Sequence, residues 1–452
     1  MSDKKTYSII TFGCQMNERD SETIAGMLEK CGYVRGDDPK TADVAVLNTC
    51  SVRDNADKRF YGVLGQLKHG KEADPEKVVA LCGCMMQQEI VRNNIKKRYP
   101  WVDIIFGTQN IDEFPQLLER ALVPGHKRIE AVVDNGGEIV EGLPSAREFP
   151  FKAFVNIMYG CNNFCTYCIV PYTRGRERSR RPGEIIAECR ALAADGVKEV
   201  MLLGQNVNSY GRSRLEGAGY YIGDDASGPD FAALIRAVDE IDGIERIRFM
   251  SSHPKDVSDD LIRCFADCKH LCRMIHLPVQ SGSNEILRRM NRHYTHEGFL
   301  KIVEKLRNAC PEIAITTDII VGFPGETEED FEETLRLVRE VRFDSAFTFI
   351  YSPRPGTPAA KMEQVPDEVS HARFDRLMEV LHGIQEEKSR ELQDAVLPVL
   401  IEGTSKTNDS MLTGRTEQGK TVDLPGDPSL IGQIVPVRIV KAQTFSLYGE
   451  LL

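Results

Sequence analysis

The chain has 452 residues, of which 41% are hydrophobic and 28% are charged. At roughly 150 residues per domain, this length predicts about three domains, each large enough to bury a core. The formal net charge of −11 excludes a protein that is basic over its whole surface, so any contact with nucleic acid must use a local patch.

The first 122 residues alternate apolar strands with helical patterns, which predicts a parallel sheet with crossover helices. The predicted strands are residues 7–12, 44–48, 78–81 and 103–106, and the predicted helices are residues 21–31, 56–68, 87–98 and 111–122. Residues 123–146 contain Pro-Gly and Gly-Gly pairs, which predict a linker with room for one edge strand.

Longer strand–helix repeats follow in residues 147–384. The predicted strands are residues 154–158, 199–203, 247–250, 274–279, 315–321 and 346–351. The predicted helices are residues 182–195, 231–241, 258–267, 299–308 and 328–341, with a long closing helix at residues 368–392. Six repeats are too few for a closed eight-fold barrel, so they predict a partial (β/α)6 barrel.

Residues 385–452 consist of short strands separated by Gly, Pro, Asn and Asp, at residues 397–402, 410–415, 421–424, 434–440 and 445–450. This pattern predicts a small five-stranded β-barrel of the OB-like kind. The fold class is therefore predicted as α/β multidomain, with a parallel N-terminal domain (1–122), a linker (123–146), a partial barrel (147–384) and a terminal β-barrel (385–452).

Cysteine is the unusual count, because 13 is odd and excludes full disulfide pairing. We see no secretory signal, and no apolar run approaches the roughly 18 residues of a transmembrane helix. We therefore expect a cytoplasmic protein with no membrane contact. In a reducing cytosol, clustered cysteines more often bind metal or act in catalysis than form disulfides.

Three of the cysteines lie within residues 161–168, which read CNNFCTYC and directly follow the first strand of the partial barrel. Three thiolates in so short a segment can surround one soft metal centre and leave a coordination position open. The alternatives are a zinc site or three unrelated cysteines. Zinc motifs usually add a second cysteine pair or histidines, and neither lies nearby, so the spacing favours an iron–sulfur cluster at the active face of the barrel.

This CxxxCxxC motif resembles that of the radical S-adenosylmethionine (SAM) superfamily. The resemblance implies a [4Fe-4S] cluster bound by Cys161, Cys165 and Cys168, whose open iron chelates SAM and cleaves it to a radical. It also implies that the aromatic residue before the third cysteine, Tyr167, lies near the adenine. Polar segments at later strand ends fit the same ligand, and we expect further SAM contacts from Gly204, Gln205, Gln280 and Ser281.

A second set, Cys14, Cys50 and Cys84, is spread along the chain, but each cysteine follows a predicted strand. Neighbouring parallel strands end at one crevice, so the three thiols would converge there. The alternative is three buried small hydrophobic residues. The surrounding segments 13–17, 48–53 and 83–87 resemble the methylthiotransferase N-terminal domain, which implies an auxiliary [4Fe-4S] cluster on these cysteines; Cys82 is interpreted as strand core.

The remaining cysteines are assigned to packing. Cys264, Cys268 and Cys272 are spaced i, i+4 and i+8, as on one face of a continuous helix. A third cluster is the alternative, but small hydrophobic residues facing the barrel are favoured. The others, at or near helix ends, are Cys31, Cys189 and Cys310.

Five arginines follow the cysteine loop directly: Arg174, Arg176, Arg178, Arg180 and Arg181. In an acidic chain, this local patch favours an anionic substrate over a solvated turn, and we expect it to contact RNA. The patch alone does not distinguish RNA from a phosphorylated small molecule. The terminal barrel resembles a TRAM domain, which in this family contacts the macromolecular substrate, although its acidic residues outnumber its basic ones.

Together these segments resemble the radical SAM methylthiotransferase family, and residues 160–180, 204–211 and 351–359 most resemble its MiaB type. The resemblance implies methylthiolation of C2 of N6-isopentenyladenosine at position 37 of tRNA, with one SAM as methyl donor and one as radical source. The implied partners are the tRNA anticodon stem-loop, an electron donor such as flavodoxin or ferredoxin, and a sulfur source, with the enzyme a monomer.

Three alternatives remain open at this point. An enzyme acting on threonylcarbamoyl-adenosine in tRNA is the nearest. A second modifies a ribosomal protein aspartate, which the segments at 169–181 and 204–211 disfavour. The third is an iron–sulfur RNA-binding or redox-sensing protein without turnover, which would form no 5′-deoxyadenosine from SAM and reductant.

Overall fold

The computed structural model describes residues 4–51, 54–133, 139–212, 230–406 and 408–452, with the side chains of 54–58 excepted. It contains a parallel N-terminal domain, a partial central barrel and a closed terminal barrel, which confirms the α/β multidomain prediction. Within the described residues, no helix is both long enough and apolar enough to cross a bilayer.

The N-terminal domain is a parallel sheet with helices on both faces and the strand order β2-β1-β3-β4-β5-β6. Its strands are β1 (Thr6–Thr11), β2 (Val34–Arg35), β3 (Val44–Thr49), β4 (Val78–Gly83), β5 (Ile104–Phe106) and β6 (Ile129–Ala131). Its helices are α1 (Gln15–Lys30), α2 (Asp54–Ala73), α3 (Glu89–Arg98) and α4 (Phe114–Ala121). Strand β6 lies in the predicted linker and pairs with β5 as an edge strand of this sheet.

Helix α1 begins directly after Cys14, six residues earlier than predicted. Its first turns bury polar side chains, including Asn17, Asp20 and Ser21, so no apolar periodicity marks them in the sequence. The polar start of α1 faces the ends of the neighbouring strands, as the hydrogen bond from Asn17 Nδ2 to Thr49 O shows.

The central domain has strands β7 (Lys152–Asn156), β8 (Met158–Tyr159), β9 (Arg178–Ser179), β10 (Glu199–Leu203), β11 (Arg246–Phe249), β12 (Met274–His276), β13 (Ala314–Val321) and β14 (Ser345–Ile350). Its helices are α5 (Val170–Thr173), α6 (Pro182–Ala194), α7 (Phe231–Asp239), α8 (Asp259–Asp267), α9 (Asn284–Arg289), α10 (His296–Ala309), α11 (Glu328–Val341) and α12 (Asp367–Arg390).

Six of these strands form the partial barrel, as two parallel sheets of order β7-β10-β11 and β12-β13-β14 that meet at a bridge between Ile247 and Leu271. One hydrophobic core joins these strands to the helices outside them. The short antiparallel pair β8–β9 was not predicted, because two-residue strands carry no periodicity. This pair closes the base of the loop that contains the CxxxCxxC motif.

The terminal barrel is closed, in the order β15-β16-β17-β19-β18. Its strands are β15 (Val396–Thr404), β16 (Met411–Thr416), β17 (Thr421–Pro425), β18 (Ile434–Ala442) and β19 (Ser446–Leu451). Helix α12 connects it to the central domain and continues across the predicted boundary at residue 384.

Two buried arginines at the start of β11, Arg246 and Arg248, join the central domain to the terminal barrel. Both donate to backbone carbonyls of the terminal barrel at 2.7–2.8 Å. The accepting residues are Pro398, Arg415, Thr416 and Glu417. Because this contact lies at the amino end of the strands, the opposite mouth of the barrel stays clear of it.

Candidate metal and cofactor site

Cys14, Cys50 and Cys84 follow three adjacent strands, β1, β3 and β4. The strand ends are level, because Thr11 pairs with Asn48 and Asn48 pairs with Cys82. The three cysteines therefore lie at the same edge of the sheet.

Gly13 and Asn17 hold the first of these strand ends against the second. Gly13 has a φ of +116°, and a Cβ atom there would lie 2.7 Å from Cys50 Sγ, so only glycine permits this approach. Asn17 Nδ2 donates to the carbonyls of Phe12 at 3.0 Å and Thr49 at 2.8 Å. Cys50 is 1% exposed and Cys84 is 6% exposed, so these two sulfurs are shielded from water, whereas Cys14 is partly exposed.

The first cysteine motif forms a loop between β8 and β9. Cys161 N donates to Gly175 O at 3.1 Å, and Cys168 N donates to Cys165 O at 2.9 Å. Phe164 adopts a φ of +46°, a conformation held by Asn291, whose Nδ2 donates to the carbonyls of residues 163 and 164 at 3.1 Å.

A buried arginine, Arg292, lies beside this loop. Its Nη1 is 3.4 Å from both Cys165 Sγ and the Tyr167 hydroxyl, and its Nη2 donates to Pro278 O at 2.8 Å. A guanidinium beside these sulfurs stabilises the negative charge of thiolates. Sequence reasoning missed Arg292, because it lies 124 residues after Cys168 and in no recognisable motif.

Burial sets the protonation of the loop thiols. It raises the pKa of Cys161 to about 12 and the pKa of Cys168 to about 12, so an iron ion that binds these sulfurs must displace protons. Within the described residues, no three His, Cys, Asp or Glu side chains form a group that could hold one metal ion. A four-iron cluster makes a different demand, because each thiolate binds a different iron.

The carboxyl ends of the barrel strands carry buried polar atoms without hydrogen-bond partners among the described residues. They lie at the last residue of β7 or shortly after strands β10, β11 and β12, and so surround one mouth. The atoms are Asn156 Oδ1, Gln205 Oε1, Asn206 Oδ1, Ser252 Oγ, His253 Nε2 and Gln280 Oε1. Unsatisfied buried polar atoms are costly, so this ring fits a polar ligand such as SAM at the mouth.

Two residues at the same mouth have strained backbone conformations. Gln280 has a φ of +68° and Ser251 a φ of +64°, both in the left-handed region that side chains rarely adopt. Sequence reasoning identified Gln205 and Gln280 but missed Asn156, Ser252 and His253. Ser252 and His253 lie shortly after the third strand of the partial barrel, as Gln205 lies shortly after the second. Polar residues after a predicted strand were therefore a signal that could have identified them.

The other three predicted SAM contacts differ in their surroundings. Gly204 leaves no space for a side chain, because a Cβ atom would lie 2.5 Å from Met158 Cγ. Tyr167 packs edge-on to Phe323 at 6.4 Å between ring centroids. Ser281 is fully buried, and its hydroxyl lies 3.3 Å from Thr334 Oγ1 on α11, so it contributes to packing behind the mouth.

The five predicted RNA-binding arginines do not form one exposed surface, which corrects the sequence-based interpretation. Arg174, Arg178 and Arg180 are buried, and Arg176 and Arg181 are exposed. Arg180 pairs with Glu188 at 2.7 Å and with Glu141, and the side chain of Arg174 extends from the central domain to Asn17 of the N-terminal domain. Two of the acidic partners, Asp20 of Arg174 and Glu141 of Arg180, are distant in sequence, so the motif alone could not reveal this burial.

Two further cysteine interpretations need correction. Helix α8 ends at Asp267, so Cys264, Cys268 and Cys272 do not share a continuous helical face, although Cys264 and Cys272 are buried. Cys31 is exposed rather than packed. Three other cysteines are buried as predicted, namely Cys82, Cys189 and Cys310.

A cavity of about 440 Å³ lies within the partial barrel, between helix α1 and the terminal barrel. Phe154, Met201 and Met250 line it from the central strands, Gln15 from helix α1, and Lys420 from the terminal barrel. All three domains therefore contribute to this cavity, which combines apolar walls with polar edges.

Three family models match the chain. The Radical SAM superfamily matches residues 155–338, Uncharacterized protein family UPF0004 matches residues 6–107, and the TRAM domain matches residues 391–452. The radical SAM and TRAM predictions are thereby confirmed.

Curated proteins match over nearly the full length. The chain is 52% identical over 451 residues to a tRNA-2-methylthio-N(6)-dimethylallyladenosine synthase of Clostridium perfringens, covering 100% of this chain and 98% of that protein. A synthase of the same name from Alkaliphilus oremlandii is 53% identical over 449 residues, which cover 99% of this chain and 93% of that protein.

Among solved structures, the radical S-adenosylmethionine methyltransferase TsrM from Kitasatospora setae, with cobalamin and a [4Fe-4S] cluster bound, matches with a TM-score of 0.55. Its identity is 14%, and the match covers 79% of this chain and 77% of that one. At this identity, the likeness concerns the fold alone.

Proposed function

The chain belongs to the tRNA-2-methylthio-N(6)-dimethylallyladenosine synthase family of radical SAM enzymes, and we propose that it methylthiolates C2 of N6-isopentenyladenosine at position 37 of tRNA. One SAM would donate the methyl group, and a second would be the source of the 5′-deoxyadenosyl radical. The observation that carries the proposal is the placement of two cysteine triads, Cys161, Cys165 and Cys168 after the first barrel strand and Cys14, Cys50 and Cys84 after three level strands of the N-terminal sheet. The buried Arg174, which follows the first triad in sequence, contacts Cys84 of the second.

Membership of the radical SAM superfamily implies SAM and a [4Fe-4S] cluster, and we assign the cluster to Cys161, Cys165 and Cys168. Cluster and SAM together would supply a radical, which an unactivated aromatic C–H bond requires because it has no acidic proton for a side-chain base. The chain's own residues bind and orient the SAM. Gln205 and Gln280 offer unpartnered buried oxygens at the mouth, and Tyr167 lies beside the loop sulfurs.

The second cluster, on Cys14, Cys50 and Cys84, is part of the proposal. Its support is the level register of β1, β3 and β4 and the glycine that brings Cys50 close to the end of β1. Three protein thiolates leave one iron open, where the sulfur to be transferred can bind. Both open positions would then face one shared chamber between the two domains.

We assign the cavity of the partial barrel to the target nucleoside. Its apolar walls suit a purine with an isopentenyl group, and its size lies within the range of small-ligand pockets. The exposed Arg176 and Arg181 and the terminal barrel would contact the phosphates of the anticodon stem-loop. The three roles correspond to the three domains, whose predicted boundaries at residues 122, 146 and 384 are shifted by β6, which extends the N-terminal sheet, and by α12, which crosses residue 384.

The remaining partners follow from the chemistry. Reductive cleavage of SAM needs an electron donor of the flavodoxin or ferredoxin kind, and each methylthio group needs a sulfur source. Because tRNA is the substrate, we place the reaction in the cytoplasm, with the enzyme as a monomer.

Iron content tests the two-cluster proposal. The reconstituted chain should bind about eight irons, and Cys14→Ala and Cys161→Ala should each lower this towards about four by removing a different cluster. Cys31→Ala is the matched control, because Cys31 is exposed and outside both triads. A chain that binds about four irons and is insensitive to Cys14→Ala would contradict the second cluster.

A further inference from the structure

Arg174 connects the loop region of the first cysteine motif to the second cysteine set. It directly follows helix α5 in the central domain, yet its Nε lies 3.3 Å from Cys84 Sγ in the N-terminal domain. Its Nη2 lies 2.8 Å from Asp20 Oδ2 and 3.0 Å from Asn17 Oδ1. The residue is 4% exposed, so the contact is part of a dry domain interface.

The protein alone does not satisfy this guanidinium. Nη1 is buried and has no hydrogen-bond partner among the described residues. A buried arginine is costly unless every donor and its charge are compensated, and Asp20 is the carboxylate that pairs with it here. The unpaired donor beside Cys84 therefore points to an additional anionic acceptor, which the sulfide atoms of a cluster would provide.

We propose that Arg174 is a positioning residue of the second cluster, acting as a hydrogen-bond donor to its sulfurs and as a fixed positive charge that raises its reduction potential. Hydrogen bonds to cluster sulfurs and local charge set the potentials of such clusters, because reduction adds negative charge to the sulfurs. The same side chain ties the N-terminal domain to the segment that follows Cys168. This inference rests on the second cluster proposed above.

The test uses the full chain with Cys161, Cys165 and Cys168 all changed to alanine, so that only the second cluster contributes to the signal. The midpoint potential is measured by a redox titration followed by electron paramagnetic resonance. Arg174→Gln should shift the midpoint potential to a more negative value, because it removes the charge and three of the five N–H donors. Arg174→Lys should give a smaller shift in the same direction, because it keeps the charge.

Arg190→Gln in the same background is the charge-matched control, since Arg190 is exposed on helix α6, and the potential should not move. If both Arg174 variants keep their iron and the parent potential, the inference is wrong while the second cluster stands. If the alanine background itself binds no iron, the second cluster is wrong and the inference falls with it. If Arg174→Gln binds no iron, the midpoint potential of Arg174→Lys is the test. A more negative potential supports the inference, and an unchanged potential contradicts it.

Discussion

Single residues determine whether the cysteine sulfurs can approach one another. Gly13 is the clearest case, because its positive φ and its lack of a side chain place the end of β1 directly against Cys50. Arg292 acts on the other triad, where it donates to Cys165 and supports Tyr167 from the same guanidinium. Both residues lie outside the six proposed ligands, and both have testable consequences.

Gly13→Ala should remove the second cluster without removing the first. A Cβ atom at this position would lie 2.5 Å from Cys50 Cβ, so Cys50 must move away from its neighbours. Iron content should fall from about eight to about four per chain.

The control for this variant is Gly62→Ala in helix α2, where a new Cβ atom meets nothing within 4 Å. It should keep all its iron and gain up to about 1 kcal/mol in unfolding free energy from helix propensity. Full iron content in Gly13→Ala would contradict the geometry assigned to Cys50.

Arg292→Gln should slow the reductive cleavage of SAM by about 10-fold to 100-fold, since hydrogen bonds to charged groups contribute about 1.5–3 kcal/mol. The rate of 5′-deoxyadenosine formation measures this directly. Arg288→Gln serves as the control, because Arg288 is exposed one turn earlier and pairs with Glu285. Equal rates in the two variants would show that Arg292 does not support the loop.

At the scale of elements, the join between the central domain and the terminal barrel depends on strand β11. Arg248 donates to two carbonyls of the terminal barrel and pairs with the buried Glu199 at 2.9 Å. The contact orients the terminal barrel relative to the cavity that both domains line. Its loss should therefore separate two domains rather than unfold one strand.

Arg248→Ala should destabilise the contact between the two domains by about 3–5 kcal/mol, because it leaves the buried Glu199 with only Arg246 at 4.0 Å in place of its closer partner at 2.9 Å. Calorimetry should resolve a separate, earlier transition for the terminal barrel, and limited proteolysis should cut near the end of α12. Arg263→Ala removes an exposed arginine paired with Asp260 and should change stability by less than about 0.5 kcal/mol. Identical melting of the two variants would show that Arg248 does not stabilise the contact between the central domain and the terminal barrel.

The elements also show how far the sequence predicts this molecule. Strands such as β10 (Glu199–Leu203) were predicted to the residue, because buried apolar runs bounded by loops are plain in sequence. The cysteines could be located at strand ends for the same reason. The start of α1 and the burial of Arg174 and Arg180 could not be predicted, because both depend on polar partners brought together only by the fold.

At the scale of the whole molecule, the proposed function divides one reaction among the three domains. The N-terminal sheet and the partial barrel each present a cysteine triad, and the terminal barrel closes the far end of the cavity. Although the net charge is −11, the chain buries several arginines, which pair with groups inside the molecule: Arg174, Arg246, Arg248 and Arg292. In the proposed function, contact with the RNA would fall to arginines that remain exposed, such as Arg176 and Arg181.

The most direct test of the central claim is mass spectrometry of tRNA nucleosides from a strain that lacks this gene. The account predicts that N6-isopentenyladenosine accumulates without its methylthio form, and that the wild-type chain restores the methylthio form while Cys14→Ala does not. Unchanged tRNA in the deletion strain, or loss of the methylthio group from threonylcarbamoyl-adenosine instead, would contradict it.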